Sequence, residues 1–447
     1  MASTYLSRTQ NGTVNNNKIA TFSFWLKRSG ISAYQDPMSA VSGSDYAQIQ
    51  FTNTDTLSIY QRDSGSTTMQ VVTTRVFRDT SAWYHIVVAL DTTQATASDR
   101  VKIYVNGVQE TSFGTSTYPT QNLVLRLNTA SHSQSVGAYS TSANYVNGSM
   151  THFHQIDGTA YDASTFGETD ATTGIWKPKV SPSVTYGTNG FFLKFENSGS
   201  MGLDSSPNGN NFTVNGSLRQ TVDTPTNVFA TLNPLIANGI ANPTYSNGNL
   251  TSTGTTSTGA YDLGSSTLGI STGKWYWEVK LSDASASAMF GATANPQLNA
   301  QTTGYNLTAG DGTAQYTYGY LASNGNFYND AGGSAFGNSF TTNDIIGVAL
   351  DCTNSKIYFS KNGVWQGSSD PSAGTGGKDI QSGETYFAKF DEYNSGAQST
   401  INVNFGSGYF GITPVASAGS NGNGAIFEYD VPTGYYALNT KNLATYG

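Results

Sequence analysis

Short apolar runs with a two-residue period, separated by Gly, Asn, Ser and Thr, recur along the whole chain. In Phe22-Ser-Phe-Trp-Leu-Lys-Arg28, Phe22, Phe24 and Leu26 fall on one face and Ser23, Trp25 and Lys27 on the other, as in a half-buried strand. The same reading predicts strands at Ala47 to Phe51, Leu57 to Gln61, Met69 to Thr73, Trp83 to Leu90, Val101 to Val105, Leu123 to Leu127, Gly148 to Ile156 and within Gly190 to Phe195. The clearest alternation is Trp275-Tyr-Trp-Glu-Val-Lys-Leu281, with Trp275, Trp277, Val279 and Leu281 on one side and Tyr276, Glu278 and Lys280 on the other. Burying each of those tryptophans is worth about 4 to 6 kcal/mol before entropy is counted. No stretch sustains a 3.6-residue period, and only Ala163 to Phe166 leaves room for a helical turn.

One pattern occurs twice. Val88-Ala-Leu-Asp91 precedes Lys102-Ile-Tyr-Val-Asn-Gly107, and Val348-Ala-Leu-Asp351 precedes Lys356-Ile-Tyr-Phe-Ser-Lys-Asn-Gly363. Asn-Gly accepts the positive φ angles of a tight hairpin, so each copy predicts antiparallel strands and each belongs to its own sheet domain. The fold class expected is all-β: two antiparallel β-sandwiches. Residues 1–215 form the first, 216–259 a Gly/Asn/Ser/Thr-rich linker, 260–412 the second, and 413–447 a tail that docks on a domain or a neighbouring subunit.

The 447 residues include 49 Gly, 27 Tyr, 22 Phe and 6 Trp, a composition that suits strands and turns. A net charge of -8 without a Lys/Arg cluster excludes a nucleic-acid partner from the expectations. The first residues lack an apolar signal core and no run reaches the length of a membrane helix, so a soluble product made in the cytoplasm without membrane insertion is expected. With Cys352 alone, no intrachain disulfide can form, and a buried, inert thiol is the simplest role.

Phe22-Ser-Phe-Trp-Leu-Lys-Arg, Trp83-Tyr-His-Ile-Val-Val-Ala-Leu-Asp and Lys102-Ile-Tyr-Val-Asn-Gly resemble a laminin-G-like, concanavalin-A-type jelly roll. Gly273-Lys-Trp-Tyr-Trp-Glu-Val, Ile346-Gly-Val-Ala-Leu-Asp, Lys356-Ile-Tyr-Phe-Ser-Lys-Asn-Gly-Val-Trp365 and Val403-Asn-Phe-Gly406 resemble a SPRY (B30.2-like) domain. The joining text is similar to virion proteins of tailed, notably marine, bacteriophages. It comprises His154-Gln-Ile-Asp-Gly-Thr-Ala-Tyr161, Phe166-Gly-Glu168, Asp204-Ser-Ser-Pro-Asn-Gly-Asn-Asn-Phe212 and Asp223-Thr-Pro-Thr-Asn227, and the closing Gly434-Tyr-Tyr-Ala-Leu-Asn-Thr-Lys-Asn-Leu443 resembles the ends of the same proteins.

The resemblance implies a non-enzymatic virion component, such as a tail fibre, spike or capsid decoration, that attaches to a host-surface glycan or protein. Its partners would be other virion proteins and copies of itself, a trimer among the options. A cement-like protein that binds only its neighbours is the alternative, and a surface-polysaccharide depolymerase the distant one. No cofactor is expected; loop Asp and Asn leave room for a rim Ca²⁺ that no recognisable ligand loop identifies.

The ligand-binding candidates are aromatics beside predicted loops and turns: Tyr139 and Tyr145 in the first domain, Tyr328 and Trp365 in the second. Such rings stack on sugars and anchor interfaces, although sheet packing competes for each of them. No catalytic residue is assigned. Gly269-Ile-Ser-Thr-Gly273 matches a hydrolase elbow but runs into a strand, and Gly374-Thr-Gly-Gly-Lys378 lacks phosphate-loop spacing. His152 and His154 sit two apart without a third ligand, and Asp91 and Asp351 suit turn capping. The paired acids of a glycosidase are missing from the strands.

Overall fold

In the computed structural model, the protein is described over residues 4–10, 12–140, 143–236, 243–255, 261–284, 287–296, 316–393 and 398–447. It divides into two compact units, Met1–Gln220 and Thr221–Gly447. Both are built from antiparallel sheets, so the all-β class holds.

In the first unit an eight-stranded sheet runs Phe113–Thr117, Ser66–Val76, Thr56–Asp63, Asp45–Phe51, Gln35–Ser42, Ser133–Val136, Tyr5–Thr9 and Thr213–Asn215. A six-stranded sheet runs Phe191–Leu193, Gly148–Asp157, Ile19–Arg28, Trp83–Asp91, Val101–Val105 and Val108–Gln109. Phe22, Phe24 and Leu26 close with Ile49, Phe51, Ile59, Val88 and Ile103 over one apolar core. Within it Arg28 and Asp55 form a fully buried ion pair at 3.1 Å, and Arg28 also donates 2.7 Å to the Phe77 carbonyl.

Leu123 to Leu127 is not the strand its apolar spacing predicts. Leu125 and Leu127 fill the core while the intervening Arg126 turns outward in a 3₁₀ turn, Arg126–Asn128, and pairs with Asp45 and Asp63. An expected helical turn does occur, at Ala163–Thr165, where the Asp162 carboxylate accepts from the Ser164 amide at 2.9 Å.

The second unit has a sheet with the path Thr244–Ser246, Thr251–Thr253, Thr400–Asn404, Lys274–Asp283, Ile345–Asp351, Lys356–Lys361 and Val364–Trp365. It faces another with the path Tyr261–Ile270, Tyr386–Tyr393, Ser287–Thr293, Thr317–Leu321, Asn326–Asn329 and Gly332–Ala335. Trp275 and Trp277 lie fully buried between them with Val279, Leu281, Phe290 and Phe359.

The stretch expected as a linker instead supplies Thr244–Ser246 and Thr251–Thr253 to the first of these sheets, because strand pairing satisfies polar backbone that its side chains cannot bury. The tail docks on its own unit. Phe427, Val431 and Tyr435 cover the sheet face that carries Tyr276 and Tyr358, and Tyr436–Ala437 pairs in parallel with Lys274–Asp283. It ends in a helix, Thr440–Tyr446, which the alternation did not predict; Asn439 caps it by accepting from the Asn442 amide at 2.9 Å.

Candidate functional site

The strands Asp45–Phe51 and Thr56–Asp63 send Ala47, Ile49, Phe51, Leu57 and Ile59 into the core. The pleat therefore places Tyr46, Gln48, Gln50, Ser58, Tyr60 and Arg62 on the other face of the sheet. Tyr46 lies directly across from Arg62, and Gln48 across from Tyr60. The Tyr46 ring centroid is 5.6 Å from that of Tyr60 and 5.5 Å from that of Tyr139, the latter edge to face. Three half-buried phenols thus share one patch beside a guanidinium.

Tyr139 reaches this patch because the chain after Ser133–Val136 doubles back over the sheet. Its amide donates to the Ala143 carbonyl at 2.8 Å, and the Asp36 amide donates to the Asn144 carbonyl at 2.9 Å. Beneath lies the fully buried Asp36 carboxylate, which accepts from Gln48 at 2.7 Å, Gln50 at 2.8 Å and Asn144 at 3.4 Å. Burial pushes its pKa up to about 6, and the three amide donors oppose that rise. These hydrogen bonds fix the glutamine side chains and the covering segment, giving the tyrosine patch a pre-formed floor.

Of the four aromatics singled out in the sequence, only Tyr139 joins this patch. Tyr145 leaves the same covering segment in another direction and packs on Tyr5, with centroids 6.1 Å apart. Tyr328 lies over Gly333 and packs with Met289 and Leu321. Trp365 is not a free rim side chain: it meets Tyr276 edge to face at 6.5 Å and lines the seat of the tail. Tyr46, Tyr60, Arg62 and Asp36 were missed. The signal for Tyr46 was the polar half of Tyr46-Ala-Gln-Ile-Gln-Phe51, whose alternation puts Tyr46, Gln48 and Gln50 together on the face away from the core.

Groups with reactive potential prove to be structural. Ser23 Oγ is 2.9 Å from His85 Nε2, but the Trp176 indole N–H donates to His85 Nδ1 at 3.0 Å. Nε2 therefore carries the proton of the neutral ring and cannot take one from the serine. Burial, helped by His152, also holds the His85 pKa down to about 3. Gly269 and Ile270 end one strand and residues 271–273 turn into the next, so Gly269 to Gly273 is not a strand-to-helix elbow. Gly374 and Gly376 are turn residues at φ +74 and +71, and Lys378 lies over the Phe327 and Phe336 rings at 5.6 and 5.3 Å.

His152 sits at φ +49 in a β-bulge, while His154 stacks on Phe192 at 3.8 Å and meets the Tyr186 hydroxyl at 3.0 Å. Among the described residues no group of three or more His, Cys, Asp or Glu is arranged to hold a metal. Asp91 accepts from the Thr93 amide at 3.0 Å and Asp351 from the Asn354 amide at 2.9 Å, the turn caps that their positions suggested. Cys352 is half-buried, and burial raises its thiol pKa to about 12. No described helix is long and apolar enough to cross a membrane.

Comparison with known proteins agrees with the two architectures. Residues 2–163 match the concanavalin A-like lectin/glucanases superfamily, and residues 274–370 match the SPRY domain. A Ran-binding proteins 9/10 homolog of Drosophila melanogaster is 30% identical over 95 residues, which is 21% of this chain and 9% of that protein. Ran-binding protein 9 of Danio rerio is 29% identical over 92 residues, which is 20% of this chain and 14% of that protein. The chain thus spans 9% and 14% of the length of these two relatives. The crystal structure of the SPRY domain of human HERC1 is 18% identical, with a TM-score of 0.26, covering 38% of this chain and 96% of that one. Both a concanavalin A-like domain and a SPRY domain are present.

Proposed function

We propose that this is a non-enzymatic attachment protein whose first unit contacts a surface glycan through the face of Tyr46, Tyr60 and Tyr139. The observation that carries this reading is the clustering of three half-buried phenol rings on the solvent side of a sheet, over a floor held by hydrogen bonds. Aromatic faces stack on the C–H faces of pyranose rings, and a rigid floor spares the site the entropic cost of ordering. The virion resemblance of the joining segments supports placing this attachment role on the particle of a tailed bacteriophage, where many copies compensate for weak single sites.

A tail that docked on a neighbouring subunit would favour the cement-like alternative. Phe427, Val431 and Tyr435 are spent within their own unit, so the tail no longer favours that alternative. The attachment reading is tested with polysaccharide binding by the whole protein and with competition against particle adsorption to cells. Tyr46→Ala is expected to weaken binding about five- to tenfold. Wild-type protein that binds no polysaccharide and never competes at saturating dose would refute the reading.

A further inference from the structure

Resting on the glycan reading of this face, we propose that its ligand is an acidic polysaccharide and that Arg62 reads the carboxylate of the sugar. Arg62 stands directly across from Tyr46 in the strand register, so its side chain borders the ring on which a pyranose would stack. The neighbouring acids are already engaged. Arg126 pairs with Asp45 at 3.2 Å and with Asp63, while Asp36 is sealed beneath the face by Gln48, Gln50 and Asn144.

Among the described residues Arg62 makes no ion pair with a carboxylate. It is half-buried, so water screens it less than a fully exposed side chain. Its planar fork matches a carboxylate with two parallel N–H donors, a geometry that a lysine cannot reproduce. Stacking supplies sugar recognition without charge preference, and Arg62 adds the preference.

The test compares three carboxylated polysaccharides, polygalacturonate, alginate and hyaluronate, with their methyl-esterified forms, using the whole protein at low salt. The acidic form of at least one pair is expected to bind about tenfold tighter than its ester, the worth of one charged hydrogen-bonded contact. Arg62→Gln should abolish that preference, Arg62→Lys should restore part of it, and Tyr46→Ala should weaken both forms. Thermal unfolding of each variant checks that the fold is retained.

Equal binding of acid and ester, or a preference that survives Arg62→Gln, overturns the role of Arg62 and leaves the glycan reading standing. Absence of binding to both forms of all three pairs overturns the acidic-ligand proposal and counts against the glycan reading as well. Binding unaffected by Tyr46→Ala moves the site elsewhere and overturns both.

Discussion

The two units solve the same problem with the same device and then clothe it differently. In each, an Asn-Gly hairpin turns with the asparagine at φ +48, and its side-chain oxygen accepts from a backbone amide near the start of the strand that pairs with the hairpin's first strand. Asn106 accepts from His85 at 2.8 Å, and Asn362 from Ile345 at 2.8 Å. The glycine that follows lies under an aromatic ring brought by a later part of the chain. A β-carbon at Gly107 would come within 3.1 Å of Trp176, and one at Gly363 within 2.6 Å of Tyr429.

In the first unit the covering segment is the loop region around Phe166, Trp176 and Tyr186, and the buried polar groups beneath it are imidazoles. In the second it is the C-terminal tail, clamped by a carboxylate. Glu278 accepts from the Glu428 amide at 2.8 Å, the Tyr429 amide at 2.9 Å and the Tyr276 hydroxyl at 3.0 Å. A shared hairpin therefore says little about the chemistry of the face beside it. That chemistry depends on which segment returns to cover the sheet.

The largest test of this comparison removes the covering aromatics. Phe427→Ala should cost about 3 to 5 kcal/mol, the range for truncating a large buried aromatic, and Trp176→Ala somewhat less because that ring is only half-buried. Hydrogen exchange should show the loss in the core amides of the unit that carries the substitution. Equal loosening of both units by either variant would show that the covering segments are not local devices.

Next comes pH, where imidazole and carboxylate predict opposite slopes. The unfolded His85 binds its proton near pH 6.5 but the folded one only near 3, so this group lowers first-unit stability as pH falls through that window. His132, His152 and His154 shift in the same direction through burial. Asp36, with its pKa raised from 3.8 to about 6, works against them at the acid end. In the second unit burial raises Glu278 from 4.5 to about 7, and burial with the Asp262 charge raises Glu392 from 4.5 to about 9. Their folded forms hold protons that the unfolded chain has released, so second-unit stability falls as pH rises above 4.5.

Each such group contributes a slope of up to about 1.4 kcal/mol per pH unit. Between pH 6 and 7, where the histidines together outweigh the last part of the Asp36 titration, exchange-derived stability should rise with pH in the first unit and fall in the second. Slopes of the same sign would break the contrast. Lys389, whose pKa burial lowers from 10.5 to about 7, should reverse part of the second unit's trend in alkali. Glu278→Gln should flatten that unit's slope between 4.5 and 7, read as the pH dependence of its unfolding free energy.

Smaller effects sharpen the shared part. Gly107→Ala and Gly363→Ala must hold φ at +86 and +78, a strain of about 1 to 2 kcal/mol before any displacement of the covering ring. Gly363→Ala should be the more costly in denaturant titration, because its ring is closer. Asn106→Ala and Asn362→Ala each lose one backbone-directed hydrogen bond, a matter of about 1 kcal/mol, and Asn362→Ala should cost somewhat more in the same titration because its amide also donates to the Asp344 carboxylate at 2.7 Å.

The tyrosine face was half legible. Tyr139 stood out as an aromatic beside a loop, but its partners Tyr46 and Tyr60 lie within strands, where position alone does not distinguish a binding ring from a packing one. Trp365 looked equally exposed, because a turn position does not reveal that a segment some sixty residues later will pack beside it. Its neighbours in the buried cluster, Phe427, Val431 and Tyr435, are local enough in the tail to be read as apolar but not as belonging to that sheet.

Alternation and turn chemistry by themselves determined the all-β class, the inward faces of the long strands and the two Asn-Gly hairpins, because period two and positive φ are properties of a few adjacent residues. Only the tertiary structure decided that residues 244–253 would pair into a sheet, that the tail would cover Tyr276 and Tyr358, and that Arg62 would stand beside Tyr46. Those outcomes depend on register and on burial shared between distant segments, for which local spacing carries no unique signal.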